Sequence, residues 1–345
     1  MAKRAGIEVE EFGFGLPPRA WGKKIGKTIY SINWLPFGGF VRLVGEDPTD
    51  KRKDQKNSFY SKSLRERMLV VLAGVAMNFI LAVGIFYVVV FALGFKVSLP
   101  LLYDHKFKFV NQEKQVLVED VAQGSIAQAA GIKPGEAIVA AGGQDIVTIE
   151  QLQKIIRANE NQSVGLIIEN PVNNKTRAVT VVPKLNEQLK VPAIGVGLGE
   201  LAVLDYKTFP QKLFSGFIHS YNTVDYSIGI FGKLIGAAVK SHNIAPVSEG
   251  VSGPVGIAQL TSQAVKMGAL SVLQLAALLS LNLAVMNVLP IPALDGGRFF
   301  FLVMEAVTRR KVYPTVEKWV HTVGFVVLIG LILLITFNDI SKLIK

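Results

Sequence analysis

Three stretches of the chain stay predominantly apolar for about twenty positions, the length a helix needs to cross the hydrocarbon core of a bilayer. They run from Met68 to Phe95, from Leu270 to Leu289 and from Val320 to Phe337, with Asn282 and Asn287 interrupting the second. Each predicts a membrane helix. Between the first two, the pattern changes to short apolar runs separated by turn residues. Val116–Val121, Ala137–Ala141, Ser163–Glu169 and Arg177–Val182 read as strands, Gly142-Gly143 as a turn and Ile149–Ala158 as a helix. Ahead of the first span, Thr28–Val44 alternates Ile, Tyr, Trp and Phe with turn residues and predicts a hairpin, with Trp34 and Phe37 as interfacial anchors. Phe214–Val239 mixes Phe, Ile and Leu with Ser, Gly, Tyr and Asn. It is too polar for a span and reads as an interfacial or half-buried helix.

With 345 residues, half of them hydrophobic, the chain suits a membrane bundle plus one small soluble domain. A formal charge of +11 could point to nucleic acid, but no nucleic-acid-binding signature accompanies it, and the basic residues gather beside the apolar spans. Lys51, Arg52, Lys53, Lys56, Lys62, Arg65 and Arg67 precede the first span, and Arg309, Arg310 and Lys311 lie between the second and third. The positive-inside rule makes both clusters cytoplasmic and leaves Lys96 to about Gly268, and the C-terminus, outside. The absence of cysteine excludes disulfides and thiolate metal sites. Met1–Tyr30 lacks the apolar core of a signal peptide.

The most informative segment is Asn287-Val288-Leu289-Pro290-Ile291-Pro292-Ala293-Leu294-Asp295-Gly296-Gly297, which closes an apolar run with a carboxylate. An Asp at membrane depth costs a few kcal/mol and normally has a cationic partner. Two prolines break the helix ladder, which membranes tolerate only where protein or a cavity satisfies the freed groups. Asp295 therefore reads either as a ligand to a cation or as a cap, since Asp-Gly-Gly is also ordinary turn chemistry. Asn287, eight residues earlier, is about 2.2 helical turns away and so is expected close to the same helix face.

That segment resembles the N-x-x-P-x-P-x-L-D-G motif of the site-two protease family, the M50 zinc metalloproteases that cut substrates inside the membrane. Further segments resemble the family in order: Glu11-Phe12-Gly13-Phe14-Gly15-Leu16-Pro17, Leu35-Pro36-Phe37-Gly38-Gly39-Phe40-Val41, Ala73-Gly74-Val75-Ala76-Met77-Asn78 and Gly253-Pro254-Val255-Gly256-Ile257. The strand and helix order after the first span resembles a bacterial PDZ domain. The resemblance implies a polytopic α-helical membrane protein: a site-two protease core lacking its first helix, a membrane-associated β-hairpin or sheet, and an inserted extracytoplasmic PDZ domain. Its parts are expected at 1–66 (β region), 67–95 (span), 96–200 (PDZ-like), 201–268 (interfacial helices and the Gly-Pro-Val-Gly loop), 269–298 (span with the Asp295 motif), 299–319 (cytoplasmic loop) and 320–338 (span).

The resemblance also assigns roles. Asp295 becomes the third ligand of a catalytic Zn2+, which takes three protein ligands and a water. Zinc lowers the pKa of that water while a glutamate accepts its proton. Asn287 becomes a donor to substrate or to the developing oxyanion. Gly13, Phe14, Gly15, Gly38 and Gly39 become part of an edge that pairs with an unwound substrate strand. Ile194, Gly195 and Val196 become the carboxylate loop of the PDZ domain, which would capture peptide termini. One defining part is not found: the family's H-E-x-x-H, two zinc-binding His with a general-base Glu. The histidines are His105, His219, His242 and His321, none four residues from another. Glu8, Glu10 and Glu11 read as exposed strand acids. Met1–Ile7 resembles the segment just after H-E-x-x-H, so the chain is expected to begin beyond its own metal motif, through an internal Met taken as the start or through real loss.

The function expected is intramembrane zinc endopeptidase cleavage of membrane-anchored substrates, of the anti-sigma-factor or signal-peptide type, after an upstream site-one protease, in a bacterial inner membrane and without nucleic acid. The alternative is a non-catalytic PDZ peptide-binding pseudoprotease. A transporter ranks third, without an inverted repeat to support it. Gly250-Val251-Ser252-Gly253 matches the G-x-S-G of rhomboid serine proteases, with His321 as the available base, but sits in a polar loop before Pro254.

Overall fold

The computed structural model describes residues 1–46, 50, 52, 55–170, 175–187, 190–243, 251–310 and 313–344. Two compact units result: Met1–Ala82 with Ser248–Lys345, and Val83–Val247.

The first unit opens with two long strands, β1 (Val9–Ile25) and β2 (Thr28–Leu43). Both bend, so the first half of β1 pairs on both sides: Phe12 lies opposite Val41 and Tyr30, and Phe14 opposite Gly39 and Ile32. Residues 11–14 and 29–32 are therefore interior, and residues 19–25 and 39–43 form the outer strands. Strand alternation sorts the faces. Phe12, Phe14, Tyr30, Ile32, Trp34 and Val41 are exposed, while Glu11, Ser31 and Asn33 are buried. Glu11 is thus not the exposed acid expected from sequence. It is held by Arg19, whose Nε donates to Oε1 at 3.0 Å and whose second nitrogen lies 2.7 Å from Oε2. That hydrogen bond to Arg19 keeps the Glu11 carboxyl below its ordinary pKa against the opposing effect of burial.

Helix α1 (Leu64–Ala92) begins in this unit and ends in the second. After the second unit, the first resumes with α6 (Pro254–Met267), α7 (Ala269–Val288), α8 (Asp295–Thr308) and α9 (Pro314–Ile344), numbered in chain order after α2 to α5 of the second unit, whose ranges follow. Three helices among the described residues are long and apolar enough to cross a membrane: Leu64–Ala92, Ala269–Val288 and Thr315–Ser341. The third starts earlier than its apolar run because Pro314 suits a helix start and Glu317, in the first turn, accepts the Tyr60 hydroxyl at 2.8 Å.

The second unit holds β3 (Lys96–Leu101), β4 (Asn111–Val121), α2 (Ile126–Ala129), β5 (Ala137–Ala141), β6 (Gln144–Asp145), α3 (Ile149–Ala158), β7 (Val164–Asn170), β8 (Lys175–Val181), the hairpin β9 (Lys184–Asn186) and β10 (Val191–Ala193), β11 (Val196–Asp205), α4 (Phe209–Leu213) and α5 (Ser215–Ser241). The main sheet runs β3-β11-β4-β5-β7-β8, with β6 on β5. Helix α3 starts at a Thr148/Gln151 capping box and buries Leu152 and Ile156 against Val116, Val118, Ile138, Leu166 and Ile168. A second core joins Val90 of α1, Val97, Leu101, Ala202, Leu204, Tyr206 and Tyr226. Gly216 permits a close approach of backbone to backbone here: a Cβ there would meet the Val83 carbonyl oxygen at 2.4 Å. The segment expected as 201–268 accordingly divides, α5 belonging to this unit and α6 to the first.

Candidate metal centre

Asp295 opens a helix rather than closing one. Helix α7 stops at Val288, residues 289–294 form a loop, and Asp295 is the first residue of α8. The prolines explain this, since neither Pro290 nor Pro292 can donate to a continuing ladder. Asn287, half-buried in the last turn of α7, is therefore on a different helix from Asp295, and the shared face expected from their spacing is not realised.

The two glycines of the motif serve the tightness of this turn. A Cβ at Gly296 would lie 2.0 Å from the Leu289 carbonyl oxygen, and one at Gly297 2.5 Å from that of Ile291. The first turn of α8 folds directly back on the loop. Ala293 adopts φ +75°, a left-handed conformation that costs a non-glycine residue about 1–2 kcal/mol. Its N–H donates to His321 Nδ1 at 3.0 Å.

At the head of α8, the Asp295 carboxylate gains from the positive end of the helix dipole. Burial nevertheless pushes its pKa above the ordinary value, Arg298 opposing and Glu46 adding to the rise. Arg298 is itself paired with Glu46. No described residue donates a hydrogen bond to the Asp295 carboxylate. Gly74 of α1 faces it, and a Cβ at that position would be 3.7 Å from Oδ2. The Ala73–Asn78 motif carries no sign of this contact in sequence, because nothing local links α1 to a carboxylate more than two hundred residues away. Asn78 has a structural place, its carbonyl accepting the Ser280 hydroxyl at 3.0 Å.

A half-buried carboxylate that accepts no hydrogen bond from a described residue suits one ligand of a metal ion. It does not complete a zinc site: among the described residues no group of three or more His, Cys, Asp or Glu could hold a metal. The described chain thus fits one position of a zinc coordination shell and no more.

The other candidates lie apart in role. Gly13, Phe14 and Gly15 fall on or just beyond the interior strand, not on an edge. A Cβ at Gly13 would meet the Phe40 ring at 2.5 Å, and one at Gly39 the Gly13 carbonyl oxygen at 2.9 Å, so these glycines permit close strand packing. Gly39 is on an outer strand, and Gly38 precedes it in β2. In the second unit, Ile194 is buried and Gly195 has φ +82°. Their carbonyls accept the N–H groups of Ala127 and Ala122 at 2.9 and 3.0 Å, and Val196 starts β11 opposite Val121. Of the G-x-S-G segment, Gly250 lies outside the described residues; His321 accepts a backbone N–H, and no hydrogen bond joins it to Ser252 among the described residues.

Comparison with known proteins places the whole sequence, not its individual site residues, beside a protease family. The family model described as peptidase family M50 matches residues 1–331. A Clostridium perfringens relative carrying a zinc metalloprotease name is 33% identical over 340 residues, covering 99% of this chain and 92% of its own length. The regulator of sigma-W protease RasP of Bacillus subtilis is 26% identical over 421 residues, covering 99% of this chain and 93% of its own. Among solved structures, the PDZ domain of an SdrC-like protein from Listeria monocytogenes covers 24% of this chain and 85% of that domain, at 17% identity and a TM-score of 0.22.

Proposed function

The chain belongs to peptidase family M50, the zinc metalloproteases that cut within the membrane, and on that footing we propose that Asp295 is its own contribution to the zinc site. The observation that carries this reading is the carboxylate itself: it is half-buried at the head of α8, accepts no hydrogen bond from a described residue, and faces the side-chain-free Gly74. When bound, zinc would activate water and polarise the scissile carbonyl. Asp295 would hold the ion, and the Asn287 amide would donate to substrate.

The rest of the chain serves substrate handling. The exposed face of Phe12, Phe14, Tyr30, Ile32 and Trp34 suits contact with lipid, and the outer strand at residues 39–43 offers backbone groups to an extended substrate. In the second unit the β3-β11 pairing covers only residues 200–205 of β11, which leaves 196–199 free on that side for a peptide terminus, as in a PDZ groove. The basic clusters beside the spans favour a cytoplasmic β1–β2 region and an extracytoplasmic PDZ-like unit in a bacterial inner membrane. Substrates are membrane-anchored proteins of the anti-sigma-factor or signal-peptide type, first shortened by another protease.

The test is cleavage of a membrane-anchored reporter by protein purified from its own membrane and reconstituted in vesicles. Asp295→Asn should abolish cleavage with insertion and expression unchanged. Full activity of that variant would remove Asp295 from the metal site; an inactive parent protein would favour a peptide-binding role.

A further inference from the structure

The loop that delivers Asp295 to its position holds itself only in part: the Ile291 N–H donates to the Leu289 carbonyl at 2.7 Å and the Leu294 N–H to that of Ile291 at 3.2 Å. Pro290 and Pro292 have no N–H to donate, and Ala293 sits at φ +75°, where its own N–H finds no partner within the loop. A partly buried N–H needs an acceptor, and here it comes from another helix. His321 of α9 accepts the Ala293 N–H through Nδ1 at 3.0 Å. Three residues further along the same helix face, Gly324 makes room for the loop: a Cβ there would lie 2.3 Å from Pro292 Cβ and 2.9 Å from its carbonyl carbon and oxygen. The Phe301 ring of α8, 5.7 Å from the imidazole, closes the other side.

We propose that His321 and Gly324 form a seat on α9 that fixes the 291–294 loop and thereby the position of Asp295. The seat rests on the reading of Asp295 as a metal ligand only for its consequence in catalysis; the contacts stand without it. Both residues are positioning residues. Because Nδ1 accepts, the neutral ring carries its proton on Nε2, which is buried without a partner among the described residues. The chemistry required at position 321 is therefore an acceptor at the Nδ1 position. Asparagine places an oxygen there, and leucine places none. The smallness required at 324 is that of glycine alone.

The absence of cysteine provides a clean reporter of the loop. In full-length protein carrying Leu294→Cys, the rate of modification by a small thiol reagent reads how firmly the loop is seated. Adding His321→Leu should raise that rate about tenfold, the equivalent of one lost hydrogen bond, while His321→Asn should leave it near the parent rate. Gly324→Ala should raise it independently, which keeps the test open if His321→Leu fails to insert. On the Cys-free background, His321→Leu should lower kcat with KM little changed, and His321→Asn should restore it. Equal labelling rates in the parent, His321→Leu and Gly324→Ala proteins would overturn the seat, as would an Asn variant that labels as fast as the Leu variant. Asp295→Asn separates the two claims. Lost cleavage with labelling unaffected by His321→Leu sinks the seat and leaves the ligand reading; normal cleavage by Asp295→Asn with faster labelling in His321→Leu does the reverse.

Discussion

The Asp339 carboxylate of α9 accepts the backbone N–H of Gly256 at 2.8 Å, and the same oxygen accepts that of Gly253 at 2.9 Å. Helix α6 has no side-chain cap of its own at Gly253, so a carboxylate from a different helix satisfies its first turn. Glycine at 253 suits this contact, since a Cβ there would lie 2.9 Å from the Asp339 oxygen. Asp339→Ala should destabilise the detergent-solubilised protein by about 1–2 kcal/mol, with Asp339→Asn intermediate. Denaturation that leaves the Ala variant indistinguishable from the parent would rule the cap out.

A buried pair should behave differently. Arg67 of α1 lies 2.7 Å from Glu305 of α8, both side chains largely shielded from solvent. Removing one partner strands the other, so Arg67→Met should cost about 3 kcal/mol or more. The double variant Arg67→Met/Glu305→Leu should recover most of that loss. Additive losses in the same unfolding measurement would show that the two residues do not act as a pair.

His219 makes the second unit sensitive to acid. It is fully buried, with Nδ1 3.1 Å from the Tyr206 hydroxyl and its ring edge-on to Phe86 at 4.7 Å. Burial pushes its pKa from 6.5 down to about 4. Between those values the unfolded chain binds a proton that the folded chain does not. The His219 contribution is thus complete above pH 6.5 and is lost as the pH falls toward 4. Melting temperature should decline over that window in the parent and decline less in His219→Gln; identical profiles would count against it.

Gly74 should tolerate only small side chains. A methyl group there makes ordinary contact with Asp295 at 3.7 Å, whereas a longer side chain enters the space in front of the carboxylate. Gly74→Ala is expected to keep most cleavage activity and Gly74→Leu to lose it with insertion intact. An active Leu variant would mean that this space is not used.

The three long apolar helices are legible in sequence because runs of twenty apolar residues have few other uses. The Asp295 motif is equally legible as a pattern, but its geometry is not. Spacing alone puts Asn287 and Asp295 on one helix, and only the Pro290-Ile291-Pro292 loop reveals that Asp295 begins another. The glycines near the N-terminus read in sequence as part of a substrate-pairing edge, whereas the bend that makes residues 11–14 interior depends on pairing with two separate parts of β2. Partners such as His321 for Ala293, 28 residues apart, and Gly74 for Asp295 leave no periodic or local signal. They arise from the packing of helices, which hydropathy does not encode.

The central claim is that Asp295 holds the catalytic metal, and zinc stoichiometry measures it most directly. Protein purified from its own membrane, parent and Asp295→Asn, should be compared by elemental mass spectrometry after matched dialysis. The account predicts about one zinc per parent chain and a strongly reduced content in the variant, with unchanged folding. Equal zinc in both proteins would contradict it.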